Sequence, residues 1–182
     1  MKNVPKIFRI ITLVAAIGLS FAACGDGGGG GGDPLAAHLN GTWKAGNGES
    51  ITMNNGSFTK SENNKPSMRG TYTATAARSI SANLTMAVNE LHGDYLAEIE
   101  EGPAFDENTW YTKNKVTDAF RKWLKDENPS LTDAQISAFL AGRSNEIDAL
   151  FPTKTAVVNG DTMTLDGKTY TKNGGNPVNP GL

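Results

Sequence analysis

Cysteine is almost missing from this chain. Cys24 is the only one in 182 residues, so no intramolecular disulfide can brace the fold and the core must come from apolar burial alone. Histidine occurs twice, at His38 and His92, without metal-ligand spacing, and no metal site is expected. No sign of charge dominates: 17 Lys and Arg stand against 19 Asp and Glu, a net of −2. Neither nucleic acid nor any other polyanion is implied as a partner. The longest apolar stretch, Ile10 to Leu19, falls short of the roughly 20 residues that span a bilayer. There is no Gly-x-Ser-x-Gly elbow, phosphate loop or dinucleotide fingerprint. The glycine tract Gly25 to Gly32, broken only by Asp26, lacks the Lys-Ser/Thr of a phosphate loop. Glu98, Glu100, Glu101, Asp106 and Glu107 lack the spacing and central glycine of a calcium loop and read as a solvated acidic loop. No carboxylate pair stands in an apolar setting. Neither an enzyme nor a cofactor is expected.

What is present begins at the N-terminus. Lys2, Lys6 and Arg9 precede the apolar stretch, small Ala22 and Ala23 follow it, and the glycine tract comes directly after Cys24. That order is the layout of a secretory signal peptide. Phe21-Ala22-Ala23-Cys24 resembles the lipobox of bacterial lipoproteins, with Phe21 where the family usually carries an aliphatic residue. The resemblance implies cleavage before Cys24, diacylglycerol on its sulfur and an acylated new amino terminus, hence an exported protein held on the envelope membrane by lipid on Cys24. Asp26 is third in the mature chain rather than second, so the family's common inner-membrane retention signal is missing, which favours the outer membrane. Residues 1–23 read as leader and residues 24–38 as lipidated cysteine plus flexible tether.

From Leu39 to Asn89 the chain reads as short strands with turn punctuation: Gly41 to Lys44, Glu49 to Met53, Ser57 to Ser61 and Gly70 to Ala74, with Glu62 to Ser67 as a polar loop. Ser79 to Val88 alternates most clearly, placing Ile80, Ala82, Leu84, Met86 and Val88 on one face. Tyr95 to Ile99 is a further strand candidate. Helical periodicity follows over about 115–151. Val116, Phe120, Trp123 and Leu124 share one face, and Thr132 with Gln135 forms a capping box for a second helix striped by Ile136, Phe139 and Leu140. Ser144 opens a short third helix that ends before Pro152. These stripes need cover, from the open end or one side of a sheet. Thr153 to Val158, Thr162 to Leu165 and Lys168 to Lys172 resume the strands, joined at Asn159-Gly160 and Asp166-Gly167. Residues 173–182 read as a disordered tail.

The expectation is a mainly β domain over 39–172, an antiparallel meander barrel of about eight strands with a helical insertion. Gly41-Thr42-Trp43 resembles the Gly-x-Trp that opens lipocalins, and Gly70-Thr71-Tyr72 and Asp161 to Tyr170 are similar to segments of small lipocalin-like domains in bacterial lipoproteins. The insertion departs from a plain lipocalin, whose helix follows the strands. Trp43, Ile51, Met53, Phe58, Tyr72, Ile80, Leu84, Met86, Met163 and Tyr170 are the expected barrel interior. They either line a cavity for one small hydrophobic ligand or fill the core. The first outcome predicts a carrier. The second predicts a structural or interaction module that binds another envelope protein and is marked by an apolar patch on the helices, or an inhibitor acting through the Glu62–Ser67 loop.

Overall fold

A computed structural model describes residues 34–78, 80–99 and 102–172. Eight antiparallel strands close into a barrel in chain order: β1 (Gly41–Lys44), β2 (Glu49–Asn54), β3 (Ser57–Glu62), β4 (Lys65–Arg78), β5 (Ser81–His92), β7 (Thr153–Asn159), β8 (Thr162–Leu165) and β9 (Lys168–Lys172), with β9 returning to β1. A short strand β6 (Trp110–Thr112) joins the far end of β5. Ahead of the barrel stands α1 (Pro34–Leu39). Between β5 and β7 lie α2 (Gly93–Leu96), α3 (Lys113–Glu127), α4 (Asp133–Gly142) and α5 (Ser144–Leu150). The mainly β barrel with a helical insertion is as expected. The leader, Cys24, the glycine tract and the tail from residue 173 lie outside the described residues.

Turn chemistry sets the register. Asn55–Gly56, Asn63–Asn64 and Asp166–Gly167 each place two successive residues at positive φ, the geometry whose twist matches that of the flanking strands. The turn after β7 is centred on Gly160 and Asp161, with Asn159 already paired to Thr162.

Four expectations are corrected. The loop at Glu62–Ser67 is only the Asn63–Asn64 turn. Pro66 lies within β4 opposite Ser61, where a register shift falls between Lys60 and Ser61, the irregular site at which a strand tolerates a residue without an N–H. A two-residue turn stands where the longer polar loop was expected. Ser79 to Val88 becomes β5 from Ser81 to His92, and Ile80 sits in the preceding turn, 49% exposed rather than inside. Alternation cannot distinguish the first inward residue from a turn residue in the same phase. Tyr95 lies in α2 instead of a strand. Finally, residues 34–38 of the expected tether belong to α1, whose Leu35 and Leu39 are buried.

The helices form as their stripes imply. Thr132 and Gln135 make the reciprocal capping box. Val116, Phe120, Leu124, Ile136, Leu140 and Ile147 are buried and continuous with the barrel core, with Phe105 edge-on to both Tyr111 and Phe120. Helix α3 packs on β6, so the insertion extends the barrel at one end instead of entering it.

At Gly70 the neighbouring strand β5 leaves no room for a side chain: a Cβ there would lie 1.9 Å from the Ala87 carbonyl oxygen. Gly142 has nothing within 4 Å of the same position. Gly70→Ala should therefore cost about 1–3 kcal/mol or more, while Gly142→Ala should be neutral or slightly stabilising. Urea denaturation of the two variants side by side checks this.

Candidate functional site

The barrel interior is the first place to look. Nine of the ten residues expected there are buried: Trp43, Ile51, Met53, Phe58, Tyr72, Leu84, Met86, Met163 and Tyr170. They come together by register. Trp43 lies opposite Ile51, Met53 opposite Phe58, Tyr72 opposite Met86 and Met163 opposite Tyr170. Ile80 is the exception. Between the side chains lies a cavity of about 10 Å³, lined by Ile51, Phe58, Met68, Met86, Val88 and Leu165 together with Lys60, Lys154 and Asp166. That is at or below the space one water requires.

The two ends differ in chemistry. At one end α1 seals the barrel: the Trp43 indole N–H donates to the Leu39 carbonyl at 3.0 Å, and the His38 ring stands edge-on to Trp43. His38 Nε2 bonds the Gly160 carbonyl at 2.9 Å. The Lys172 ammonium donates to the His38 carbonyl and lies 5.8 Å from the Trp43 ring centre. His38, expected in a free linker, is thus part of this seal.

At the other end the barrel mouth is charged. Glu49 follows the inward phase of Ile51 and Met53 and is buried. Its carboxylate accepts from Asn47 Nδ2 at 2.6 Å, from the Tyr170 hydroxyl at 2.8 Å and from Lys168, while the Lys60 ammonium lies 3.2 Å away. Lys60 also pairs with Glu62 at 2.7 Å, and Lys154 pairs with Asp166. Three lysines and three carboxylates therefore neutralise one another across the mouth. Burial alone would raise the Glu49 pKa, but the bonds from Lys168, Tyr170 and Asn47 and the charge of Lys60 outweigh it, holding the group at about 2. Burial opposes the charge on Lys60, yet Glu62 and Glu49 raise its pKa. Burial and the Glu49 carboxylate push the Tyr170 phenol well above its ordinary range. Such a mouth binds itself. It leaves no free charge among these six groups for a ligand or for proton transfer.

These charges were missed in the sequence although their signal is there. Glu49 lies two residues before Ile51, Lys60 two after Phe58, Lys154 two before Ala156 and Lys168 two before Tyr170, all in phase with buried positions. On the outer face the wall carries threonine, serine and asparagine, with Thr42 and Thr52 hydroxyls 3.2 Å apart. Among the described residues Ile80 and Val157 are the exposed large hydrophobics, and on and around the helices Trp123, Leu131, Phe139, Leu150 and Phe151 are partly buried. Scans against family models, curated proteins and solved structures found no match.

The folded pKa of Glu49 lies below the ordinary 4.5. Its contribution is therefore complete above pH 4.5 and is lost as pH falls toward 2. At about 1.4 kcal/mol per unit the displacement corresponds to about 3 kcal/mol. Glu49→Gln should lower stability at pH 7 by about that much and flatten the acid limb between those values. Denaturation midpoints measured from pH 7 to pH 2 test both.

Proposed function

We propose that this protein is a lipid-anchored, non-catalytic protein of the bacterial cell envelope that works through the outside of a filled barrel. The observation that supports this reading best is the packed interior, which leaves about 10 Å³ where a small-molecule carrier has a site of roughly 300–1,000 Å³. Support for the anchor comes from Phe21-Ala22-Ala23-Cys24 and the glycine tract after it. Several acyl chains hold a protein on a bilayer firmly where one chain holds it marginally. On this reading Cys24 carries the lipid, the outer membrane is the destination, and the partner is another envelope component met by a polar surface.

A second reading, carriage of a small hydrophobic ligand, is favoured by the methionines. Met53, Met68, Met86 and Met163 are all buried in the barrel, and Met68 and Met86 border the small cavity. Methionine repacks more readily than branched side chains, so a ligand would enter by displacing them.

Palmitate labelling in an exporting bacterial host tests the anchor: the wild-type chain should incorporate label and fractionate with membranes, and Cys24→Ala should do neither. Native mass spectrometry after incubation with fatty acids and phospholipids separates the two readings. A bare mass is expected of the filled barrel, and a retained acyl molecule lost on unfolding would establish the carrier instead.

A further inference from the structure

A concavity also lies outside the barrel, at a seam in its wall. Strand β7 pairs with β5 as far as Ala87, and β6 takes over the same side from Glu90. Val88 and Asn89 fall between the two pairings. The Val88 N–H is taken by the Pro152 carbonyl at 3.1 Å, and beside this break opens a cleft of about 310 Å³ lined by Val88, Asn89, Thr112, Lys113, Asn114 and Phe151.

The lining is specific in chemistry. It contains two carboxamides, a hydroxyl, a half-buried phenyl ring and no acid. Its single cation, Lys113, is already paired with Asp148, so the cleft offers an anion no free charge. Asn89 and Asn114 are exposed. The Asn89 Nδ2 makes only a long 3.4 Å bond to Thr71. Covering these amides with an acyl chain would strip their hydration without replacement, at the cost of unsatisfied polar groups. Each carboxamide both donates and accepts, as a polyol ligand requires. The Phe151 ring supplies an apolar face for the C–H side of a sugar.

We infer that this cleft binds a neutral saccharide, one or two rings of a glycan chain. The inference rests on the proposal that the protein acts through its surface, and it gives that surface a ligand class. The concavity is shallow and open to solvent, so it would seat one face of a ring or two and leave the rest of a polymer outside.

The test is calorimetric titration of the full chain in detergent with cellotetraose, tetra-N-acetylchitotetraose and, as an anionic counterpart, tetragalacturonate. At least one neutral probe should bind, and Asn89→Ala, Asn114→Ala and Phe151→Ala should each weaken it about tenfold, the factor that 1.4 kcal/mol represents. Asn89 and Asn114 are exposed, so their variants keep the test valid if Phe151→Ala fails to fold. No binding by either neutral probe, binding by tetragalacturonate alone, or neutral binding that the asparagine variants leave unchanged would overturn the inference. Palmitate labelling and the native mass are read separately, so a silent cleft is distinguishable from a failed anchor or an occupied interior.

Discussion

The barrel closes on a short seam. Strands β1 and β9 share two residue pairs, Trp43 with Lys172 and Lys44 with Thr171, yet this contact joins the two ends of the domain across more than a hundred residues. The conformational entropy of bringing such distant segments together must be offset by what the seam itself contributes. Two side-chain groups supply it. At the charged end the Glu49 carboxylate reaches across from β2 to Tyr170 and Lys168 on β9. At the other end Lys172 and His38 tie β9, the turn after β7 and α1 around Trp43. Closure removes the unpaired strand edges that would otherwise invite aggregation, and the rest of the core is packed within the ring so formed.

The same closure leads toward the outside of the molecule. An eight-stranded barrel has room for side chains or for one small ligand, and here aromatic, methionine and leucine side chains occupy it down to about 10 Å³. The mouth above is neutralised lysine against carboxylate. Concave space with unspent polar groups occurs instead where β6 and β7 share one side of β5, a break created by the helical insertion. The insertion thus adds to the core at one end and also shapes the surface where β6 follows β7 along β5.

Much of this was legible in the sequence. Alternation at Leu84 and Met86, the Asn-Gly and Asp-Gly turns, and the Thr132–Gln135 capping box are local signals, each governed by neighbours within a few residues, and the elements they mark are present. Ile80 misled because it keeps the phase of β5 while lying in its turn. Pro66 misled because a proline reads as a loop unless the partner strand is known, and the bulge opposite it depends on β3. Glu49 and the mouth lysines carry no such local mark, because charged side chains are ordinarily found on the outer face. Their inward phase becomes meaningful only once strands 120 residues apart are placed side by side. The cleft had no local signature at all, since Asn89, Asn114 and Phe151 meet only through the change of partner along β5.

Helix α1 leads into the barrel at the end opposite the helical insertion, which leaves β5 at His92 and returns at Thr153. If the proposed lipid on Cys24 holds the chain, tension between that anchor and anything bound at the far end would have a large component along the strands. Antiparallel strands pulled lengthwise share the load over many ladder hydrogen bonds at once, whereas strands peeled from one corner give way bond by bond. The two-pair seam between β1 and β9 is the weakest line under peeling and is spared by this direction of pull. On the proposed anchoring, the placement of the chain's entry and of its insertion would let the whole wall share a load that the two-pair closure could not bear by itself.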